Sequence, residues 1–336
     1  MSSDLKTRYL SEEEYDLWDQ FVDSSSFGTI FQKSVWLNNI SKWQNLKFSI
    51  AGCFKGQDLI GGMAFTWERK YSMIPIIHLP VKTPFFGIVL PHSEKKYNSK
   101  IESQFHSIIY ALISLILPEF KLFYSILSPE NIDIRPYIWL GFNTKVHYSY
   151  RFELNKETDL ISSFDYSIRK QINKGKQINH DFYTNCSEDF IGIAWKLEQK
   201  SFDRQKFKFK YSQLNDFKHF IGKLIQQDSV KIYTITHQGK PIASRILILD
   251  RSKRIAYDWL AGIDKNYLQT GLNQSLMLYS LEDLINSDFK TFDFGGAGTK
   301  SIAKYKSKYN FKLVPYYSVS KSKGFTRIGL KLKDLL

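Results

Sequence analysis

The chain has 336 residues, a formal net charge of +14 and an apolar content of 43%. This length is too great for one ordinary hydrophobic core and predicts two domains of about 150 residues each. The composition excludes a low-complexity or disordered chain. The polar N-terminus predicts no signal peptide, and the best apolar run, 108–117, is short enough to predict a core helix rather than a membrane span.

The first half of the chain is predicted to mix helices and strands. A helix at 11–22 begins after Ser11, and its first glutamates suit the positive end of a helix dipole. Proline, glycine and aromatic residues in 71–92 predict irregular strands, and the polar segment 155–165 predicts a hinge. The remaining elements are strands at 46–54, 59–67, 120–127 and 144–154, a short helix carrying Trp36, and a long apolar helix at 101–117.

The second half is predicted to contain more helix. Its last third alternates a long helix, a buried strand, a short basic helix and a final strand, at 271–286, 290–294, 300–308 and 311–320. Before these come helices at 164–178, 187–201 and 212–227 and strands at 230–237, 241–250 and 253–262.

The two halves repeat each other. Residues 54–61 and 237–244 both read as strand, glycine-containing turn and strand, which is typical of a hairpin. Further along, 121–123 matches 290–292 and 141–146 matches 310–315 at a constant offset of 169. Because solenoid repeats run to roughly 20–50 residues, this period predicts a duplicated domain.

The predicted fold class is therefore α+β, with two tandem domains that each hold a mixed, mostly antiparallel sheet flanked by helices. We predict the first domain at 1–155 and the second at 156–336. A paired-lobe chain of this kind favours an enzyme with a ligand cleft.

Positive charge is concentrated at 169–176 and in 300–333, where ten residues are Lys or Arg. This predicts an anionic partner, such as a phosphorylated donor, a nucleotide-linked acceptor, tRNA or an acidic membrane surface; solvated lysine-rich faces are the alternative. The two cysteines, Cys53 and Cys186, lie far apart, and no pair of histidines has the spacing of metal ligands. This predicts no metal site, no disulfide and a cytoplasmic location.

The junction before the helix at 271–286 is the first candidate site. Flexible backbone at a helix start offers free N–H groups and a positive dipole end, which suit a pyrophosphate or carboxylate. An ordinary helix start is the alternative. The predicted donor-binding residues are Gln269, Thr270, Gly271, Leu272 and Asn273.

A buried strand that ends in glycines, 292–298, is the second candidate. Glycine permits a ligand to approach the backbone closely, and Lys300, Lys304 and Lys306 follow directly. The spacing matches neither a P-loop nor a dinucleotide-binding motif. A tight loop at a sheet edge is the alternative.

Five segments in this order resemble the motifs of FemAB-like transferases, which are built from tandem GNAT-type acyltransferase domains. The resemblance covers nearly the whole chain, although Tyr305, Tyr309 and Asn310 stand where the family favours Phe, Phe and Gly. The segments are 167–174 (SIRKQINK), 202–205 (FDRQ), 257–262 (YDWLAG), 292–296 (FDFGG) and 305–310 (YKSKYN).

The resemblance implies direct transfer, in which a neutral amine attacks an activated acyl carbonyl without a covalent enzyme intermediate. Lys306 matches the motif lysine, which implies that it neutralises charge on the donor or transition state; a solvated lysine is the alternative. Asp258, on a predicted central strand, is a candidate proton acceptor or the partner of an arginine.

Four further residues are predicted to bind substrate. Arg169 and Arg204 are candidates for a bidentate contact to phosphate or carboxylate, with a salt bridge between lobes as the alternative. Tyr257 and Tyr305 lie beside the two candidate catalytic residues in sequence.

The preferred function is N-acyl transfer from acyl-CoA, as a co-substrate rather than a tightly bound cofactor, to an amino group of a cell-envelope sugar or peptide precursor. Aminoacyl transfer from charged tRNA to a peptidoglycan precursor is the first alternative. The basic surface favours it, whereas the short connection before 212 leaves no room for the coiled-coil arm of some tRNA-using members. A non-catalytic nucleic-acid-binding protein and a degenerate scaffold are further alternatives. The oligomeric state is not predicted.

The C-terminal segment 323–336 places Phe325, Ile328, Leu332 and Leu335 on one face of a basic helix. Such a helix can lie on an anionic membrane, which predicts peripheral contact at the inner face of the membrane. Docking onto the chain's own core is the alternative.

Overall fold

The chain folds into two compact units, seen in a computed structural model that describes residues 5–71, 73–93, 98–184, 186–204 and 213–322. The first unit contains the residues up to His147 together with those from Pro315 on. The second unit is Tyr148–Val314. The predicted membrane-binding segment, 323–336, lies outside the described residues.

The first unit begins with a short strand and then alternates helices and strands. A capping box between Ser11 and Glu14 precedes its first helix and explains the predicted helix start. Its elements are β1 (Leu5–Tyr9), α1 (Tyr15–Ser24), α2 (Ser34–Gln44), β2 (Lys47–Lys55), β3 (Asp58–Lys70), β4 (Ile74–Ile77), α3 (Ser99–Ile116), β5 (Leu122–Ile126) and α4 (Arg135–Trp139).

The second unit begins within strand β6 (Asn143–Glu153). The last strand of the chain starts in this unit and continues into the first. The elements are α5 (Leu160–Ser163), α6 (Tyr166–Lys176), β7 (Asp181–Thr184), α7 (Glu188–Arg204), α8 (Leu214–Gln226), β8 (Val230–His237), β9 (Lys240–Asp250), β10 (Ile255–Ile263), α9 (Leu272–Asn286), β11 (Thr291–Gly296), α10 (Lys300–Ser307) and β12 (Lys312–Ser322).

The two units contain sheets of the same design. The first has the strand order β1-β2-β3-β4-β5-β12 and the second β7-β8-β9-β10-β11-β6. In both, the fourth and fifth strands pair in parallel and the other neighbours pair antiparallel. The predicted fold class, tandem domains with mixed and mostly antiparallel sheets, is confirmed.

The structure divides the chain differently from the predicted boundary at 155/156. β6 pairs with β11, from Thr291↔Glu153 to Gly296↔Ser149, and its residues from Tyr148 on belong to the second unit. β12 pairs with β5, from Ser318↔Ile126 to Ser322↔Leu122, and its residues from Pro315 on belong to the first. The last strand of each sequence repeat thus completes the sheet of the other repeat. A single boundary in the sequence therefore cannot separate the two units.

The predicted hinge at 155–165 is part of the second unit. Asp159 accepts hydrogen bonds from the N–H groups of Ile161 and Ser162 and caps α5. Leu160 and Phe164 are buried in the core of the unit. The sequence of this segment is mostly polar, which predicted a hinge, because its surface residues outnumber these two buried side chains.

Helix α3, with the turn that follows, is long and apolar enough at Ser99–Glu119 to cross a membrane by length and composition. It packs on β1, β2 and β3 of the first unit. Seven of its residues are buried there, among them Ile108 and Leu112. It is the core helix that the sequence predicts.

Helix α6 lies directly on the start of α9. Gly271, with φ of 86°, precedes α9, and a Cβ at this position would lie 1.9 Å from the carbonyl oxygen of Gln171. A Cβ at Gly175 would lie 2.4 Å from Ser275 Oγ. The two glycines therefore allow the helices to approach closely.

Replacing Gly271 by alanine is expected to lower the free energy of unfolding by more than about 3 kcal/mol, because backbone strain and a backbone clash add. Gly239 is the matched control: its φ is 73°, but nothing lies within 4 Å of the added Cβ. Gly239→Ala should cost only about 1–2 kcal/mol. Equal losses of stability in urea denaturation would contradict the role of Gly271 in helix packing.

Candidate functional site

The candidate site lies where two parallel strands part. β10 and β11 pair from Ile255↔Thr291 to Tyr257↔Asp293, and no further pair is formed although both strands continue. β10 shifts register against β9 between Asp258 and Leu260, and β11 shifts against β6 between Asp293 and Gly296. The two strands therefore stop pairing beyond Tyr257, and this end of their paired region is called the opening.

Buried charges of both signs lie at this opening. Arg245 Nη1 on β9 contacts Asp258 Oδ1 on β10 at 2.5 Å, and the side chains of both are at most 10% exposed. Asp293 on β11 accepts hydrogen bonds from Ser149 Oγ at 2.5 Å and Arg151 Nε at 2.8 Å. Each carboxylate is thus held by an arginine, as the burial of a charge requires.

Lys306 on α10 brings a third positive charge to the opening. Its Nζ donates hydrogen bonds to the carbonyl oxygens of Phe294 and Gly296 and lies 4.7 Å from the centre of the Phe294 ring. Burial lowers the pKa of Lys306, and the nearby Asp258 and Asp293 partly oppose the shift. Its ammonium is thus fixed at the glycine-rich end of β11.

Two tyrosines of the same helix and turn connect this cluster to α9. Tyr305 Oη lies 3.0 Å from Tyr309 Oη and accepts a hydrogen bond from Asn273 Nδ2 at 3.2 Å. Burial raises the pKa of both tyrosines above the usual value. The hydroxyls therefore stay protonated at neutral pH and can donate.

A pocket of about 320 Å³ opens next to Tyr305. It lies between α6, the loop before α9 and α10. Lys174 and Lys308 supply its charges, and its lining contains no acidic side chain. Its other lining residues are Ser167, Ile168, Gln171, Leu268, Gln269 and Gln274.

One polar atom of the pocket lining, Gln274 Oε1 on α9, is buried without a hydrogen-bond partner among the described residues. Since buried polar groups are nearly always satisfied by protein, water or ligand, this atom is available to a bound polar molecule. The predicted substrate-binding Arg169 lies on α6 but is not part of the lining.

The predicted donor loop is only partly open. Gly271 packs against α6, Leu272 is fully buried, and Thr270 Oγ1 donates to the carbonyl of Tyr267. The carbonyl oxygen of Gln269 accepts a hydrogen bond from Lys174 Nζ at 2.7 Å. Of this loop, Gln269 lines the pocket and Asn273 joins the tyrosine cluster.

The structure therefore brings together Lys306, Asp258, Tyr305 and Asn273, while Arg204 lies elsewhere. Arg204 is exposed at the end of α7 and donates to Ser201 Oγ at 2.8 Å. Tyr257 is buried on β10, at the last paired position before the strands part.

Sequence reasoning missed Arg245, Arg151 and Asp293 as members of the cluster. A signal for Arg245 was present: it is a lone charge in the apolar strand 242–249, and a buried charge needs a partner. Asp293 lay inside a motif that was singled out for its glycines. Nothing in the sequence connects Arg151 to Asp293, 142 residues away.

Within the described ranges, no group of three His, Cys, Asp or Glu side chains is placed to hold a metal ion.

Residues 162–307 match the family described as acetyltransferase (GNAT) domain. This segment contains α6, the predicted donor loop, the parted strands and Lys306. The part of the second unit that holds the cluster is thus similar to a GNAT acetyltransferase domain.

Solved structures extend the likeness to both units. The chain is similar to the crystal structure of FemX, with a TM-score of 0.71 and 9% identity over 93% of this chain and 96% of that one. It is also similar to L-PGS from Bacillus licheniformis, with a TM-score of 0.58 and 12% identity over 96% and 95%. A tandem GNAT protein from the clavulanic acid biosynthesis pathway gives 0.57 and 8% over 96% and 99%.

These identities establish the fold alone. The tandem GNAT architecture of FemAB-like transferases, recognised from the sequence, is confirmed at that level. No curated protein sequence matches the chain.

Proposed function

We propose that the protein transfers an acyl group from acyl-CoA to an amino group of a cell-envelope sugar or peptide precursor. The observation that carries this proposal is the Lys306 ammonium, fixed at the glycine-rich end of β11 within the matched GNAT domain. A positive charge held in a poorly solvated place is suited to stabilise the oxyanion that forms when an amine attacks a carbonyl.

The other residues of the cluster have supporting roles in this proposal. Asp258, held by Arg245, takes up the proton that the attacking amine releases. Asp293, held by Arg151 and Ser149, compensates the charge of Lys306 and keeps it in place. The hydroxyl of Tyr305 lies between this cluster and the pocket and positions the reacting group.

The pocket lined by Lys174 and Lys308 receives an anionic part of the donor. Two ammonium groups without an acidic neighbour in the lining suit a phosphate or pyrophosphate. Gln274 Oε1 in the same lining can accept a further hydrogen bond from a polar ligand.

Aminoacyl transfer from charged tRNA is the second candidate, since the same cationic pocket suits the phosphates of an RNA end. The connection between α7 and α8 that weighed against it, 205–212, lies outside the described residues. We propose a cytoplasmic location because Cys53 and Cys186 are both free thiols.

A thermal-shift titration with acetyl-CoA, longer acyl-CoAs, free CoA and charged tRNA tests the donor. A ligand that binds only the native state raises Tm as its concentration rises. At 100 times Kd it adds about 2.7 kcal/mol to the free energy of unfolding. The acyl-CoA series is expected to give a rise in Tm that continues with the logarithm of the ligand concentration above Kd. A rise with tRNA alone would replace the first candidate by the second, and no rise with any donor would overturn both.

Lys174→Glu with Lys308→Glu is the variant that links the shift to the pocket. It should weaken donor binding by about 10-fold or more, because two attractive charges become repulsive. Lys240→Glu is the control. It makes one lysine-to-glutamate change at the exposed turn between β8 and β9, and Lys240 does not line the pocket. Equal weakening in both proteins would indicate a non-specific effect of net charge.

A further inference from the structure

The first unit contains a larger pocket of opposite character. It has a volume of about 530 Å³ and lies between α3 and the loop from β5 to α4. Phe27, after α1, and Leu90, before α3, complete its wall. Its apolar lining consists of Phe27, Leu90, Phe105, Ile109, Ile132 and Ile134. This size and lining are those of a small-molecule site.

The two pockets share one lining position of the sequence repeat. The offset of 169 places Phe105 on α3 opposite Gln274 on α9, and each lines its own pocket. At this position the second copy presents an amide and the first an aromatic ring.

Large apolar side chains remain exposed at the mouth. Ile132, which lines the pocket, is 77% exposed, and Trp139 is 59% exposed on α4. The Trp139 ring packs edge-on against His106, which also lines the pocket. An exposed apolar rim around an apolar pocket indicates a surface that an apolar ligand covers.

The charges on one wall are mainly negative. Asp133 accepts from His106 Nε2 at 2.8 Å and from Arg135 Nε at 2.8 Å, and Arg135 also contacts Glu102 at 3.0 Å. The guanidinium of Arg135 is therefore engaged by two carboxylates, Asp133 in the lining and Glu102 behind it, and Glu130 is the second carboxylate of the lining. An anionic head group would meet repulsion here, whereas an ammonium would be attracted.

We infer that the first unit binds an amphiphile, with its hydrocarbon chain in this pocket and a cationic head group at the carboxylates. The apolar lining shields the hydrocarbon chain of the ligand from water, and the exposed Ile132 and Trp139 are covered on binding. The head group lies at the open side, where the charged wall meets solvent. This site is independent of acyl transfer in the second unit.

Isothermal titration calorimetry of the full chain with decylamine, decanol and decanoate tests the inference, since the three probes share a chain and differ in head group. Decylamine is expected to bind most tightly and decanoate about 10-fold or more weakly. Binding of decanoate as tight as that of decylamine, or no binding of decylamine, would overturn it.

Two variants connect binding to the pocket. Ile132→Asn removes an apolar contact at the mouth and should weaken decylamine binding about 10-fold, whereas Met73→Asn, at a residue that is 74% exposed elsewhere in the unit, should leave it unchanged. Glu130→Lys should shift the preference from decylamine towards decanoate. Equal effects of Ile132→Asn and Met73→Asn, or an unchanged preference in Glu130→Lys, would contradict this site.

Discussion

Replacing Lys306 by methionine is expected to lower kcat for acyl transfer by about 10²–10³-fold while KM for the acyl donor changes little. The reason is that the ammonium acts on charge that develops in the transition state, and methionine keeps the length of the side chain without its charge. Release of free CoA thiol in the presence of the amine acceptor measures the rate.

Lys304→Met is the matched control, since Lys304 is exposed on the same helix α10. It should retain the parent kcat. A loss confined to KM in Lys306→Met would show that Lys306 binds substrate and transition state equally. An unchanged rate would remove it from the reaction.

The difference in stability between the parent and Lys306→Met should depend on pH with a defined sign. Burial lowers the pKa of Lys306 below its ordinary value of 10.5, so the unfolded chain binds more protons than the folded one between these two values. The free energy of unfolding of the parent therefore rises with pH across this window. The variant lacks this contribution, so the difference in stability should shift in favour of the parent as pH approaches 10.5.

Replacing Arg245 by methionine is expected to lower the free energy of unfolding by about 3–5 kcal/mol, because it leaves the Asp258 carboxylate buried without its partner. Arg245 is 1% exposed and Asp258 accepts its Nη1 at 2.5 Å. Urea denaturation followed by fluorescence measures the change.

Two comparisons make this result specific. Arg254→Met removes an ion pair with Asp288 whose side chains are 57% and 52% exposed, and should cost less than about 1 kcal/mol. Arg245→Met combined with Asp258→Leu should recover part of the lost stability, because no unpaired charge remains. A double variant as unstable as the sum of its single changes would contradict coupling through the ion pair.

The two largest effects fall on neighbouring groups with different roles. Arg245 and Asp258 form a buried pair that the fold needs, while Lys306 is held at backbone carbonyls that a substrate can replace. The sequence left two readings of Asp258 open, proton acceptor and arginine partner. The structure shows the pairing with Arg245, and the role as proton acceptor remains part of the proposed mechanism.

The sequence by itself determined the elements and the duplication. Alternation and periodicity of apolar residues locate β8 to β12 and α9 within a few residues, because these patterns are local. The constant offset of 169 recurs in the structure, where β6 and β12 begin at 143 and 312. The glycine-ended strand and Lys306 were also found from sequence, since each belongs to one short segment.

Only the tertiary structure decided which strand joins which sheet and which charges meet. β6 and β12 complete the sheets of opposite repeats, and Asp293 pairs with Arg151 across 142 positions of sequence. Short β1, β7 and α4 escaped prediction because packing and edge pairing, rather than intrinsic propensity, stabilise them. Strand pairing and charge pairing are contacts between distant segments, so no pattern within either segment specifies them.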